Sequence, residues 1–188
     1  MKVLKIITHH RPHLDEVAAI WALRKFRENQ SDPAITISFQ SNNEFFKKNS
    51  PADLEKQGII VVGIGGGRFD EHRSNTQDQC AFDLVLAALG LQNDPGMEQA
   101  IAYVRRTDLT ASAQPWEIAS LIKDLHEIFP TKPAEVIRWG GAAVEAKYQQ
   151  QLAFLRAVDA VSRAHIETIR HAGGSLKLVV GNTDERQF

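Results

Sequence analysis

The chain has 188 residues, 43% of them hydrophobic, enough to bury one proper core with at most a fragment of a second domain. Its 22 Lys and Arg stand against 23 Asp and Glu, which leaves no general electrostatic attraction for long nucleic acid and weighs against binding to duplex DNA. The single Cys80 excludes a disulfide scaffold, and without an apolar run of roughly 18 residues or a signal-peptide pattern the expectation is a soluble, cytoplasmic protein with no membrane association.

In chain order, Lys2 to Thr8 reads as a short buried strand through Val3, Leu4, Ile6 and Ile7, and Val17 to Phe26 as a helix with a wide apolar side. Ala34 to Phe39 alternates as a second strand, and Asn42 to Gly58 is polar with a short amphipathic piece around Phe45, Phe46 and Leu54. Ile59 to Val62 is a continuous β-branched run, so a third strand is expected there. Helices follow over Cys80 to Leu89, where Cys80 reads as a small core hydrophobe, and around Met97, Ala100, Ile101 and Val104, the latter delivering Asp108 at its end. Pro115 suits the first turn of a further helix with Ile118, Leu121, Ile122, Leu125 and Phe129 as its stripe. Trp116 and Trp139 read as packing residues, and His126, lone on a helix, as structural. From Ala142 to Ala172 no Gly or Pro interrupts a near-heptad pattern (Val144, Tyr148, Leu152, Leu155, Val158), which predicts a helix of about 46 Å that connects lobes or serves as a homodimer contact. Gly173-Gly174 is expected to end it, ahead of a strand over Leu176 to Val180 and a polar tail from Asn182 to Phe188. The fold class expected is α/β, an open and mostly parallel sheet flanked by helices and followed by the long connector helix. The division expected is a domain over residues 1–140, a linker helix over 141–174, and the start of a second domain over 175–188. No internal repeat or low-complexity segment occurs.

Two loops carry the chemistry. Between the first strand and its helix, Thr8-His9-His10-Arg11-Pro12-His13-Leu14-Asp15-Glu16 packs three imidazoles and two carboxylates together, and Pro12 keeps the segment out of a strand. Loops at the carboxyl ends of strands in an open α/β sheet face the ligand crevice, so His9, His13 and Asp15 can converge on one ion. Imidazole with carboxylate suits Mn, Fe, Co or Zn better than Ca or Mg. The alternative is that Asp15 and Glu16 only favour the positive end of the helix and that the histidines face solvent. After the Ile59 to Val62 run comes Gly63-Ile64-Gly65-Gly66-Gly67-Arg68-Phe69-Asp70-Glu71-His72-Arg73. Its glycines let the backbone approach a ligand closely and present bare amides, while the alternative is a mobile loop. It lacks the Gly-Lys-Ser/Thr ending of a nucleoside triphosphatase loop. Arg11, Arg68, Arg73, Arg105 and Arg106 lie within or beside these loops, and guanidinium forks suit phosphate oxygens; Arg105-Arg106 also fits a solvated helix end. Gly65, Gly66, Arg68 and Arg73 are the candidate phosphate-binding residues.

His9-x-x-Pro12-x-x-Asp15 after the first strand, Phe69-Asp70-Glu71-His72 after a later one, and Asp108 at a helix end resemble the ordered motifs of the DHH phosphoesterase superfamily. That superfamily includes RecJ-type exonucleases, oligoribonucleases and manganese-dependent inorganic pyrophosphatases. His9-x-x-x-His13-x-Asp15-Glu16 with Gly65-Gly66-x-Arg68-Phe69-Asp70-x-His72 is most similar to its melanocyte-proliferation-gene type, whose members resemble 3′ to 5′ RNA exonucleases. The resemblance runs from about Val3 to about Thr110. It implies that His9, His13, Asp15, Asp70, Glu71 and Asp108 ligate metal, with Glu71 in place of a histidine, and that His72 faces the substrate phosphate. Asp15, Asp70 and His72 are the catalytic residues it implies. Where the family has an aspartate bridging two ions, this chain has Gly63. A two-metal site needs such an anion, so the glycine argues for one tight metal, for completion by Asp70 or Glu71, or for a relative without catalysis. A second, substrate-gripping domain usually follows in that superfamily.

The expectation is a metal-dependent hydrolase, a phosphoesterase acting as a nuclease on short oligonucleotides or on nucleotides, with Mn2+ as cofactor and Mg2+, Co2+ or Zn2+ as alternatives. The competing expectations are a small-molecule phosphatase or pyrophosphatase, and a non-catalytic metal- or nucleotide-binding relative.

Overall fold

The computed structural model describes residues 5–27, 35–40, 43–73, 78–171 and 173–180. The expected strand start at Lys2 to Leu4, Ala34, Asn42 and the tail from Asn182 lie outside the described residues.

Three parallel strands form the sheet: β1 (Lys5–Thr8), β2 (Thr36–Phe39) and β3 (Ile59–Val61), in the order β2-β1-β3. Ile6 pairs with Ile37 on one side and Ile60 on the other. Successive side chains of a strand point to opposite faces; both faces of β1 and β3 are covered, which is why Ile6-Ile7 and Ile59 to Val62 read as unbroken apolar runs, while the edge strand β2 alternates. Ile6, Ile60 and Val62 join the main core, while Ile7 and Val61 pack on the other face with Leu54, Phe45 and Phe46. Those last residues come from two short helices, α2 (Asn43–Lys48) and α3 (Pro51–Lys56). Ser50 caps α3 by accepting from the Asp53 amide at 3.2 Å, and Pro51 at its first turn costs no hydrogen bond.

The other face holds α1 (Leu14–Arg27), in which Val17, Ala18, Ala19, Ile20, Ala22 and Leu23 are all inaccessible to solvent. A helical stretch apolar on every side, as Val17 to Leu23 is, must be surrounded. It is, by α4 (Ala81–Leu89), α5 (Glu98–Thr110), α6 (Ile118–Ile128) and α7 (Pro133–Arg163). The molecule is thus α/β, with a small parallel sheet between helices. Because the chain steps from β1 to β2 on one side and then to β3 on the other, strand order reverses between β1 and β3. In open α/β sheets that is where a crevice opens at the carboxyl ends.

Three expectations need correction. The long helix is α7, which begins at Pro133 and stops at Arg163 rather than spanning 141–174. Gly140 and Gly141 sit inside it, since a Cβ at Gly140 would come 2.9 Å from Val17 Cγ1; the glycine is the contact by which α7 approaches α1. At the other end, His165 to His171 forms β4 (His165–His171), antiparallel to β5 (Gly174–Val180). Ile166, Thr168 and Ile169 are β-branched and pair across to Val179, Lys177 and Leu176, so strand pairing satisfies a backbone that the heptad pattern had assigned to helix. The third correction concerns Trp116 and Trp139, which are exposed; Trp116 is fully so, at a φ of 71° in the turn before α6, and the Arg138 guanidinium lies 4.4 Å from the Trp139 ring. Among the described residues no helix is long and apolar enough to cross a membrane.

Candidate metal centre

The first donor loop leaves β1 at Thr8, a buried residue whose Oγ1 has no hydrogen-bond partner. His9 follows at once. Its Nδ1 accepts the Arg11 amide at 3.2 Å, which leaves Nε2 to carry the proton and donate to Glu16 Oε1 at 2.6 Å. The buried His126 of α6 donates to the Pro12 carbonyl at 2.9 Å, so its role is structural as expected, and what it holds is this loop. Helix α1 then begins at Leu14, and Glu16 reaches back so that Oε2 accepts the His13 amide at 2.6 Å, one half of a capping box. Asp15 is 2% exposed, and its Oδ2 has no hydrogen-bond partner. The His9 and His13 rings meet edge-on at 5.6 Å.

The second loop leaves β3 through Val62, which bridges to Phe69. The turn between them needs positive φ at Gly63 (66°), Gly65 (79°) and Gly66 (71°), conformations that favour glycine. Asp70 organises it: Oδ2 accepts the Gly66 amide at 2.7 Å and Oδ1 accepts the His72 amide at 3.2 Å. The His72 ring, largely exposed, has its Nδ1 3.1 Å from both Asp70 Oδ1 and Glu71 Oε1.

The loops end on neighbouring strands and enclose one cavity of about 620 Å³, lined by His9, His13, Asp15, Glu16, Glu71, His72 and Asp108 together with Gly63, Ile64, Gln79 and Leu109. His13, Asp15 and Glu16 each offer a donor atom within 4.8 Å of the others, as do Asp70, Glu71 and His72. Asp108 arrives from the last turn of α5.

The electrostatics of the cavity favour neutral or cation-bound donors. Burial holds Asp15 well above the usual carboxylate range, and the adjacent Glu16 adds to this. Burial also pushes Glu16 up to about 7 and raises Glu71 and Asp108. For His9, burial lowers the imidazole against the pull of Asp15 and Glu71, and His13 is lowered by its partial burial and by His9. His72 goes the other way: burial opposes its charge, but Glu71 and Asp70 outweigh that and raise it. The neutral imidazoles are ready to bind a divalent cation, whereas the buried carboxyls hold protons that a cation displaces on binding, so uptake of metal releases protons. Asp15 Oδ2 is buried and accepts from no N–H or O–H donor, and together with the neighbouring imidazoles the donor set fits a transition metal held by mixed N and O ligands.

The sequence profile of the family described as ChrB, C-terminal domain, matches residues 6–149. The chain belongs to this family. No curated protein and no solved structure matches it. The matched span of this ChrB C-terminal domain runs from β1 into α7 and includes every residue that lines the cavity, while β4 and β5 lie beyond it.

Of the candidate ligands in this ChrB C-terminal domain, His9, His13, Asp15, Glu71 and Asp108 come together on the cavity, and His72 with them. Asp70 stands behind the wall, its oxygens engaged by the turn and by His72. The candidate phosphate cradle is arranged differently from the expectation. The Gly66 amide is taken by Asp70, and Gly65 lies against Phe46, whose ring an added Cβ would meet at 2.8 Å. Arg68 pairs with Glu55 at 2.6 Å and lies over the Phe69 ring at 4.4 Å. None of the three lines the cavity, and the Arg73 side chain lies outside the described residues. Arg105 pairs with Asp83 at 2.9 Å, Arg106 with Glu117 at 2.6 Å and Arg11 with Glu127 at 2.9 Å.

Sequence reading passed over Glu16 as a helix-dipole residue. The signal available was its place as third residue of the helix, from which a side chain turns back toward the loop. Gln79 carried no signal of its own and joins the cavity only through the fold.

Proposed function

We propose that this ChrB C-terminal domain is a divalent-metal-dependent phosphoesterase that hydrolyses phosphodiester bonds of short oligonucleotides or nucleotides. The observation that carries the reading is the convergence of imidazole and carboxylate donors from two adjacent strand ends on one cavity, with a buried Asp15 oxygen left without a partner. The DHH resemblance of the same two loops supports it, as does a cavity volume within the range of about 300–1,000 Å³ usual for small-ligand sites.

In this reading His9, His13, Asp15, Glu71 and Asp108 hold the cation, with Mn2+ the expected ion and Mg2+, Co2+ or Zn2+ the alternatives. A bound ion of this kind lowers the pKa of a coordinated water and polarises a phosphoryl oxygen. His72, raised toward its charged form and exposed at the rim, offers its proton to the phosphoryl oxygens as negative charge develops there. Asp70 fixes the His72 ring, and His126 fixes the loop that carries His9 and His13. With 22 basic against 23 acidic residues, and with Arg11, Arg68, Arg105 and Arg106 each paired with a carboxylate, a short or single-nucleotide substrate suits the cavity better than a long duplex.

A second reading, a metal- or nucleotide-binding module without turnover, draws on the engagement of Asp70 and Arg68 by partners outside the cavity. One assay separates these. Short labelled RNA and DNA, free nucleotides and pyrophosphate are incubated with the chain in Mn2+ or in EDTA. Shortening of oligomers in Mn2+, reduced about 10³-fold or more by Asp15→Asn, is expected. Phosphate release from nucleotides or pyrophosphate without shortening identifies a small-molecule phosphatase or pyrophosphatase, and Mn2+ binding with no product identifies the binding module.

A further inference from the structure

One carboxylate sits where the two donor loops meet and belongs to neither strand end. Glu16 projects from the first turn of α1, binds the first loop through the His13 amide and His9 Nε2, and presses on the second. A Cβ built on Gly63 would lie 2.5 Å from Glu16 Cγ and 2.6 Å from Oε1, so a side chain at position 63 and the Glu16 carboxylate would compete for the same space. Gly63 also has a φ of 66°, which disfavours most other residues.

A glutamate that only caps a helix stays in water at the surface, where its charge costs little. Glu16 is instead 3% exposed beside the equally buried Asp15, whose Oδ2 has no partner, in a wall of the cavity. Two carboxyl groups side by side out of water are held together by a shared proton, as in the side-chain hydrogen bond between Asp15 and Glu16 here, or by a cation that takes its place. His9 Nε2 and Glu16 Oε1 are 2.6 Å apart, and two donors on adjacent positions of a metal with bonds of about 2.0–2.2 Å lie roughly 3 Å apart. The pair therefore opens only slightly to admit an ion once its shared proton leaves.

We propose that Glu16 is a metal ligand and that Gly63 is the clearance through which it reaches the ion, so that the carboxylate at the end of β3 is supplied by helix α1. This rests on the metal-dependent reading above. It assigns to the Asp15-Glu16 pair two ligands rather than one, and it makes the missing side chain at position 63 a condition of binding.

The test uses the full chain titrated with Co2+, whose visible absorption reports the coordination sphere, and with Mn2+ by calorimetry. Glu16→Gln keeps the shape and the bond from the His13 amide; it is expected to change the Co2+ band and weaken Mn2+ by more than about tenfold, as loss of a ligand should at least match loss of an outer-shell partner. Gly63→Asp alone should weaken binding by collision with Glu16, whereas in a Glu16→Ala background it should strengthen binding relative to Glu16→Ala. A Glu16→Gln band superposing on the wild-type band, in a protein where Asp15→Asn abolishes binding, overturns the assignment and leaves Glu16 a cap; the isosteric variant decides this whether or not the exchanged pair folds. A wild-type chain that takes up neither ion overturns the metal-dependent reading itself.

Discussion

At the scale of single residues, the cavity trades stability for the capacity to hold a charge. An acceptor buried without a partner costs on the order of 1–3 kcal/mol, and Asp15 Oδ2 is such an atom in a carboxylate that burial already drives toward its neutral form. Asp15→Asn removes the charge at constant shape. In EDTA it should melt about 2–6 °C above the wild type, and it should forfeit the rise that Mn2+ gives the wild type; paired melting curves with and without metal check both. Glu145 illustrates the opposite case on the far side of α1. It accepts from Trp21 Nε1 at 2.7 Å and from Lys25 Nζ at 2.8 Å; its partial burial opposes the charge, but Lys25, Gln149 and Trp21 outweigh that and hold the carboxyl below its ordinary value. A depressed carboxyl contributes stability that is complete above the unfolded-state pKa of 4.5 and lost as pH falls through the folded-state value. Glu145→Gln should therefore be less stable than the wild type at pH 7, by under about 1 kcal/mol because the pair is partly solvated, and the difference should be smaller at pH 3, below the ordinary carboxyl value. Urea unfolding at the two pH values measures it.

At the scale of elements, the two glycines of α7 are a matched pair with opposite expectations. An added methyl at Gly140 would come 2.9 Å from Val17 Cγ1 and 3.3 Å from Ile122, and Val17 is a stiff β-branched residue with no room to move. At Gly141 nothing lies within 4 Å. Gly140→Ala should cost about 1–3 kcal/mol through overpacking, less the helix-propensity gain, whereas Gly141→Ala should stabilise by about 0.5–1 kcal/mol. Thermal melting of the two variants side by side checks the contrast. The same pair explains why the helix boundary was illegible. Two adjacent glycines carry the local signature of a helix stop, and only the approach of α1 from residues far away in sequence turns the first of them into a packing contact. β1, β3 and the middle of α1 were legible as contiguous apolar runs and β2 as an alternation, patterns whose burial needs no knowledge of the partner. β4 was not, because a seven-residue segment is helix or strand according to whether another strand lies beside it.

At the scale of the whole molecule, the body built on β1, β2, β3 and the helices around α1 holds the core and the cavity together. β4 and β5 pack chiefly on one another, and the later part of α7 leading to them exposes Phe154, Val158 and Val161. A two-stranded ribbon adds little independent stability. A chain ended after Ala164 should keep its melting temperature within about 4 °C and its metal affinity unchanged, as calorimetry of the shortened protein will show. A larger loss would mean that the ribbon braces α7 and, through Gly140, the helix that presents Asp15 and Glu16.

The amino-acid sequence by itself determined where the candidate donors lie, because each donor loop is continuous with the strand that ends in it: Ile6 and Ile7 lead to His9, and Ile60 and Val61 to Gly63 and Asp70. Local sterics and burial are enough to place such loops at strand ends. What only the tertiary structure decided is which groups face the cavity and which are already taken. Arg68 is claimed by Glu55, Arg105 by Asp83 and the Pro12 carbonyl by His126, while Glu16 fills the space above Gly63. Each of these pairs side chains or backbone from different elements, and the strength of a charge or hydrogen bond depends on distance in space, which the order of residues along a chain does not contain.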